Sequence, residues 1–147
     1  QDIAWLRERW KGQLVIKGVL APEDAAAARK AGADGIVVSN HGGRQLDGAS
    51  STIAALPGIR EAVGPGFGIM LDGGIRRGTD VIKALALGAD GVMLGRAYAY
   101  GLSARGEAGV AEAISILARE TAITMSLMGI ESIADLKARG RDLVFRA

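Results

Sequence analysis

The amino-acid sequence of 147 residues predicts an α/β fold in which parallel strands alternate with helices. Short apolar, β-branched runs recur along the chain, and each is followed by a polar loop and an alanine-rich amphipathic stretch that ends in glycine. Strands that are apolar at nearly every position are typical of parallel sheets with helices on their faces. The runs place the strands at residues 14–17, 35–39, 68–72 and 91–95.

Helix start and stop signals lie between these runs. Pro22 suits the first turn of a helix over residues 21–31, and Gly32 ends that helix. A short turn is expected after the fourth strand. The remaining helices are predicted at residues 2–10, 51–63, 79–87, 109–128 and 130–137.

Two nearly identical returns from helix to strand favour a barrel over a doubly wound sheet. Residues 30–35 and 87–91 both contain Gly-Ala-Asp-Gly and lead straight into a strand. Four strand-helix units are half of the eight in a (β/α)8 TIM barrel, and four alone would leave two sheet edges exposed. We therefore expect residues 1–147 to be the carboxyl-terminal half of one barrel domain, supplying about its last four units, with an amino-terminal half as partner.

Composition and charge exclude several classes of protein. The 18 basic and 16 acidic residues are interspersed, so no basic stripe indicates a nucleic-acid surface. The absence of cysteine excludes a disulfide framework, a thiolate zinc site and a cysteine nucleophile, and no metal site is predicted. No segment reaches the roughly 20 continuous apolar residues of a membrane span, and no signal peptide is recognised. The sequence indicates a cytoplasmic protein, with peripheral attachment to the inner membrane as the alternative.

The side chains suited to chemistry follow the predicted strands. Working residues of βα barrels project from the carboxyl ends of the strands, and the loop after the second strand carries His41, the one histidine in the sequence. Imidazole is the side chain best suited to accepting a proton near neutral pH. Arg44 lies three residues further on, and its planar fork matches a carboxylate at two points. The loop therefore predicts a base beside an acid-binding arginine; the other interpretation of Arg44 is a pair with Asp47.

The loops after the third and fourth strands predict a divided phosphate site. Glycines leave backbone N–H groups free there, and two arginines add positive charge. An aspartate at the same place is suited to accept a hydrogen bond from a ribityl or ribose hydroxyl. The residues concerned are Asp72, Gly73, Gly74, Arg76, Gly95 and Arg96.

Lys17 ends the first strand inside the predicted barrel mouth, where an unpaired ammonium would be costly to bury. Two partners would explain a buried Lys17: a cofactor that becomes anionic on reduction, or a carboxylate from the amino-terminal half.

Other residues near these loops are assigned structural roles. Asn40 and Gln45 are expected to fix the loop by hydrogen bonds, and Tyr98 and Tyr100 to pack between the last turn and a neighbouring helix.

Three motifs in this sequence resemble the FMN-dependent L-2-hydroxy acid oxidase and dehydrogenase family, which includes glycolate oxidase, flavin L-lactate dehydrogenase and mandelate dehydrogenase. The motifs are Lys-Gly-Val at 17–19, Ser-Asn-His-Gly-Gly-Arg-Gln-Leu-Asp at 39–47, and the segment from Asp-Gly-Gly to Leu-Gly-Arg at 72–96. The middle motif is highly specific, whereas Asp-Gly-Gly occurs in other flavin and nucleotide barrels. The resemblance covers essentially the whole chain.

The resemblance implies bound FMN, a small L-2-hydroxy acid substrate that is oxidised to the 2-oxo acid, and a homo-oligomer, specifically a tetramer. It implies that His41 is the base and contacts both flavin and substrate, and that Arg44 binds the substrate carboxylate. The flavin contacts that it implies come from Lys17 and Ser39 at the ring, His41 and Gly42 beside it, Asp72, Gly73 and Gly74 at the ribityl chain, and Arg76, Gly95 and Arg96 at the phosphate.

Two other functions fit parts of this pattern. An IMP-dehydrogenase-like barrel shares the Asp-Gly-Gly segment, but its chemistry needs a cysteine nucleophile, which this sequence lacks. A non-catalytic flavin-binding fragment of a barrel is the second alternative. The residues leave open which 2-hydroxy acid is oxidised, which molecule accepts the electrons, and whether the substrate passes through a carbanion or loses a hydride.

Overall fold

A computed structural model describes residues 2–144 and contains one four-stranded parallel sheet. The strands are β1 (Val15–Val19), β2 (Gly35–Val38), β3 (Gly68–Leu71) and β4 (Gly91–Val92), and they lie side by side in chain order. Each strand pairs in parallel with the next one along the chain. The predicted strands and their parallel pairing are confirmed, although β4 has only two residues instead of the predicted five.

Helices follow each strand and cover the sheet. They are α1 (Asp2–Arg9), α2 (Pro22–Lys30), α3 (Thr52–Val63), α4 (Gly78–Ala86), α5 (Arg96–Leu127) and α6 (Ile133–Arg139), with short 3-10 turns at His41–Gly43 and Gly140–Leu143. The first four of these helices lie where the sequence predicts them. The last helix begins at residue 133 and not at residue 130.

The prediction of a short turn before residue 109 was wrong, because α5 begins at Arg96. The long element is bent at Arg105 and Gly106, whose backbone angles are not helical. Gly101 and Gly109 lie where the two arms of the bend meet, and a Cβ on either would collide with the backbone carbonyl of the other. Their lack of a side chain allows two helical arms to pack backbone against backbone.

The main core lies between the sheet and helices α2, α3 and α4. Its fully buried side chains include Ile36, Leu56, Ile59, Ile69 and Leu71. A smaller cluster lies beside α4 and α6, and the partly buried Met125 and Met128 pack against it. The four strands form an open sheet, in which β1 and β4 each have a strand neighbour on one side within residues 2–144.

The first Gly-Ala-Asp-Gly segment connects the amino ends of β1 and β2. Asp34 Oδ2 accepts hydrogen bonds from the backbone N–H of Leu14, at 2.7 Å, and from Arg7 Nη1, at 2.8 Å. The N–H of Asp34 donates in return to the carbonyl oxygen of Leu14 at 2.8 Å. The Leu14 N–H, with a further contribution from the Arg7 guanidinium, lowers the pKa of Asp34.

The second Gly-Ala-Asp-Gly segment makes the same contacts between β3 and β4. Asp90 Oδ2 accepts from the N–H of Ile69 at 2.9 Å and from Arg60 Nη2 at 2.7 Å, and its Oδ1 accepts from Lys137 at 2.8 Å. Burial raises the pKa of Asp90, but the hydrogen bonds from Lys137 and Ile69 and the charge of Arg60 outweigh burial, so the pKa lies below its usual value. Both repeats therefore fasten adjacent strands at their amino ends.

Asp90→Asn is expected to lower the free energy of unfolding by about 1–2 kcal/mol near neutral pH, because charge-assisted hydrogen bonds at a half-exposed site are lost. Since folding lowers the pKa of Asp90, its ionised form stabilises the fold above about pH 4, and this contribution is lost as the pH falls through the folded pKa. Urea unfolding at about pH 7 and about pH 3 should therefore show a smaller loss of stability on acidification in the variant.

A matched control for this experiment is Asp24→Asn, because Asp24 is exposed on α2 and forms no ion pair with any of the residues 2–144. The control should behave like the parent protein at both pH values. An equal loss of stability on acidification in the Asp90 variant and the parent would show that Asp90 does not carry this pH dependence.

Candidate active site

The carboxyl ends of the four parallel strands meet at one edge of the sheet, and the residues singled out in the sequence lie along that edge. Lys17 is part of β1. Residues 39–44 follow β2, residues 72–76 follow β3, and residues 95–96 follow β4. Loops that come from separate parts of the sequence are therefore brought together by the register of the sheet.

A β-bulge at Gly18 shapes the end of β1. Lys17 pairs with Val37 and Val19 pairs with Val38, so Gly18 is an extra residue in the strand, and its φ of 95° is one that glycine adopts readily. A Cβ at this position would lie 3.0 Å from Cε1 of His41. The missing side chain thus leaves room for the imidazole ring directly over β1.

Lys17 has two partners at the sheet edge. Its Nζ lies 2.8 Å from Asp72 Oδ2 and donates to Ser39 Oγ at 2.9 Å. The sequence left its partner open between an anionic cofactor and a carboxylate from the amino-terminal half. The structure supplies a carboxylate from this chain, Asp72, which the sequence analysis had assigned only to a ribityl or ribose hydroxyl.

Ser39 is almost completely buried at 1% exposure, and it connects Lys17 to the histidine loop. Its Oγ accepts hydrogen bonds from Lys17 Nζ and from the backbone N–H of His41, the latter at 3.1 Å. A serine hydroxyl has two lone pairs and one proton, so both acceptor positions are used and the O–H is left to donate. No residue in the described part of the chain accepts that proton.

His41 opens the short turn His41–Gly43 with a φ of 56°, and it is the one non-glycine residue with positive φ between residues 2 and 144. This backbone conformation costs free energy, and such strain is found mostly at functional sites. Asn40 stabilises the loop, because its Oδ1 accepts from the Gly42 N–H at 3.0 Å and its Nδ2 donates to the Ser50 carbonyl at 3.3 Å. The role predicted for Asn40 is confirmed.

Gln45, for which the same role was predicted, makes no side-chain hydrogen bond among the residues described, so that prediction was wrong.

Arg44 is exposed and pairs with none of residues 2–144. The carboxylate of Asp47 accepts instead from the N–H of Gly48. The alternative pairing of Arg44 with Asp47 is therefore absent, and the guanidinium is available to an anion beside His41.

The Asp-Gly-Gly turn after β3 leaves a buried acceptor and open space. Asp72 Oδ1 is buried and has no hydrogen-bond partner among the described residues. A Cβ added to Gly74 or to Gly95 would meet no atom within 4 Å. Thr52 was not predicted as part of this site, but its buried hydroxyl donates to the Gly73 carbonyl at 3.1 Å and fastens this turn to α3. A threonine at a helix start resembles an ordinary cap, so its sequence carries no signal of this contact.

Arg96 and Arg76 lie at the amino ends of two helices. Arg96 is the first residue of α5, and its Nη2 donates to the Gly42 carbonyl at 3.2 Å. Arg76 is exposed just before α4, and its backbone N–H donates to Asp80, which caps that helix. Helix amino termini favour anions through their free N–H groups and their dipole. The early start of α5 therefore places a helix end at the predicted phosphate site.

Tyr98 and Tyr100 lie in the first turns of α5 and are 41% and 72% exposed. The sequence predicted that they would pack between a turn and a neighbouring helix. That prediction was wrong for the described residues, because the segment is helical and turns these rings toward solvent.

A comparison with protein families matches residues 1–142 to the FMN-dependent dehydrogenase family. The chain belongs to this family. The assignment confirms the resemblance seen in the three motifs and the predicted FMN cofactor, and it decides against the IMP-dehydrogenase-like alternative.

Curated relatives include several bacterial L-lactate dehydrogenases. The chain is 56% identical over 135 residues to that of Caulobacter vibrioides, 58% over 136 residues to that of Pectobacterium atrosepticum and 57% over 142 residues to that of Stenotrophomonas maltophilia. These alignments cover 92–97% of this chain but 35–37% of the relatives. The chain thus spans about a third of the length of the relatives that it matches.

Solved structures of mandelate oxidase have the same fold as this chain. A mandelate oxidase variant with a monooxide FMN adduct gives a TM-score of 0.88 at 47% identity, covering 92% of this chain and 43% of that one. The same enzyme with (S)-mandelic acid gives the same TM-score and covers 40% of that chain. These matches confirm the fold class, in which four parallel βα units form part of a TIM barrel.

The residues at the sheet edge fit FMN group by group. A ribityl chain offers hydroxyl donors, and Asp72 Oδ1 is a buried acceptor without a partner among the described residues. The O–H of Ser39 needs an acceptor, which the oxygens and nitrogens of the flavin ring can supply. A phosphate is attracted by Arg76, Arg96 and the amino end of α5. FMN therefore accounts for the orphan oxygen of Asp72, the O–H of Ser39 and the positive charge of Arg76 and Arg96.

Arg96→Ala is expected to weaken FMN binding by about 1.5–3 kcal/mol, roughly ten- to a hundredfold, because a charge-assisted phosphate contact is lost. The flavin content of the purified variant and a fluorescence titration of the apoprotein with FMN measure the effect. Lys83→Ala is the matched control, because Lys83 is an exposed cation on α4. Equal FMN affinity in the two variants would place the phosphate elsewhere.

Proposed function

We propose that the protein containing this chain oxidises a small L-2-hydroxy acid to the 2-oxo acid, with FMN as the group that accepts the electrons. The observation that carries the proposal is the short loop after β2, on which the His41 imidazole and the unpaired Arg44 guanidinium lie three residues apart. The same loop is hydrogen-bonded to Lys17 through Ser39, so base, acid-binding group and flavin-facing cation belong to one site.

His41 acts in this proposal as the base. Its ring lies over Gly18 at the end of β1, and its backbone is held by Ser39 and followed by the Asn40-capped turn. A base fixed in this way accepts the proton that the substrate loses at an imidazole nitrogen without first reorganising. A positioned base of this kind contributes roughly a hundredfold to ten-thousandfold to a rate.

Arg44 holds the substrate carboxylate. Its guanidinium has no competing partner among residues 2–144, and a planar fork can donate two parallel hydrogen bonds to one carboxylate. Binding at two points fixes the direction of the acid as well as its position. The carbon that carries the hydroxyl group is thereby held between Arg44 and His41.

The relatives suggest which acid to test first. The curated relatives named L-lactate dehydrogenase are 53–58% identical to this chain, compared with 47% for mandelate oxidase. L-lactate is therefore the first substrate that we propose, followed by L-mandelate and glycolate. An anaerobic visible spectrum tests the proposal directly, because the oxidised flavin bands should bleach on addition of the correct acid and persist with D-lactate.

We further propose that this chain forms the carboxyl-terminal half of a single barrel domain, that an amino-terminal half completes the site, and that the protein is a homo-oligomer in the cytoplasm or peripheral to the inner membrane. These statements stay predictions that rest on the family resemblance and on the open sheet. No helix between residues 2 and 144 combines the length and apolar character needed to cross a membrane.

His41→Gln should abolish most of the chemistry but spare the cofactor. Flavin binding should persist, because the contacts proposed for phosphate, ribityl chain and ring come mainly from residues other than His41. Reduction of the flavin by substrate, measured anaerobically in a single turnover, should slow roughly a hundredfold to ten-thousandfold. A variant that is reduced at nearly the parent rate would remove His41 from the mechanism.

Arg44→Lys should raise KM and lower kcat together, reducing kcat/KM roughly ten- to a hundredfold, because a point charge cannot reproduce a two-point grip on a carboxylate. Steady-state kinetics with L-lactate provide the measurement. Arg119→Lys is the matched control, since Arg119 is exposed on α5 and makes no ion pair within the described range. If Arg44→Lys leaves both constants as they are in the control, the carboxylate binds elsewhere.

A further inference from the structure

The charged pair at the sheet edge bridges three strands. Lys17 lies on β1 and Asp72 follows β3, so their 2.8 Å contact passes over the carboxyl end of β2. Ser39, which follows β2, accepts a hydrogen bond from Lys17 at 2.9 Å. The lysine ammonium is therefore held from two sides by groups that come from two other strands.

We propose that Asp72 is a positioning residue that acts on the bound flavin through Lys17. Its Oδ2 holds the Lys17 ammonium at the flavin edge of the site, while its buried Oδ1 stays available to the cofactor. The proposal rests on the proposed function in one respect only, namely that FMN binds at this edge of the sheet.

Lys17 needs such an anchor because little else restrains it. Its side chain is 42% exposed, and a four-carbon stem with an ammonium group samples many conformations and is strongly hydrated. Without the carboxylate, solvent would compete for the ammonium, and Ser39 would be its one remaining partner among residues 2–144. The time-averaged positive charge near the flavin would then fall.

A carboxylate suits this position better than an amide. Asp72 is only 16% exposed, and its two oxygens differ: Oδ2 contacts the ammonium, while Oδ1 is buried and has no donor among the described residues. An asparagine presents one acceptor and one donor group. It can keep a contact with a ribityl hydroxyl, but it cannot hold the ammonium by charge. Asp72→Asn therefore separates the two tasks.

The midpoint potential of bound FMN tests the proposal in a cycle of four proteins: the parent, Asp72→Asn, Lys17→Met and the double variant. Removing the negative charge of Asp72 should by itself raise the midpoint potential, with or without Lys17, because the reduced flavin is more negative and loses a repulsive neighbour. Where Lys17 is present, Asp72→Asn also releases its ammonium, and this second effect should lower the midpoint potential. We therefore expect the shift caused by Asp72→Asn to be more negative in the parent background than in the Lys17→Met background.

Equal shifts in the two backgrounds would show that Asp72 acts on the flavin directly, and a more positive shift with Lys17 present would show that it only neutralises the lysine. Either result overturns the proposal. Asp47→Asn is the matched control, because it removes one carboxylate from the same edge but makes no contact with Lys17. Failure of the parent to bind FMN would instead contradict the proposed function.

A second measurement does not depend on flavin. Acylation requires a deprotonated amine that the reagent can reach, and a carboxylate in contact with the side chain restricts that access. Acylation of Lys17 by an amine-reactive reagent, followed by mass spectrometry of the apoprotein, therefore reports on the anchor. The labelling rate of Lys17 should rise several-fold in Asp72→Asn, while that of the exposed Lys83 stays constant as an internal reference. An unchanged rate at Lys17 would show that Asp72 does not hold it.

Discussion

The ion pair between Lys17 and Asp72 is the contact on which the carboxyl edge of this sheet depends. A parallel sheet brings loops from distant parts of the chain together, but it does not fix their side chains. The pair joins the loop after β3 to β1, and Ser39 extends it to the backbone of His41. Four residues from three strands thus form one hydrogen-bonded network, and the position of the proposed base depends on the position of the cation.

The two edges of the sheet carry different kinds of polar group. At the amino edge, Asp34 and Asp90 each accept hydrogen bonds from a backbone N–H group and an arginine, which is the pattern of a stabilising contact. At the carboxyl edge, His41 has a strained backbone, and within residues 2–144 Asp72 has an orphan oxygen and Arg44 has no partner. Unsatisfied and strained groups lower stability, so their concentration at one edge indicates that they are retained for binding and chemistry.

The sequence predicted what depends on local pattern and missed what depends on distant contacts. Apolar runs and glycine stops located the strands, and loop position alone located His41 and Arg44. The start of α5 was missed because the packing of Gly101 against Gly109 joins two arms of a bent helix and leaves no local signal in the sequence. The partner of Lys17 was missed for the same reason, since no local signal connects it with a residue 55 positions away.

The internal repeat explains why that partner is present. Leu14 and Ile69 occupy equivalent positions, because each receives the two-way hydrogen bonds of an Asp from the Gly-Ala-Asp-Gly segment. Lys17 and Asp72 each lie three residues after these positions, and each precedes a glycine with positive φ, 95° at position 18 and 85° at position 73. Two units of the same design thus each carry a polar side chain three residues beyond this aspartate contact, on strands separated by one other. Like charges there would repel across the gap, whereas a lysine on one unit and an aspartate on the other attract, so the repeat builds the cation site from its own two copies.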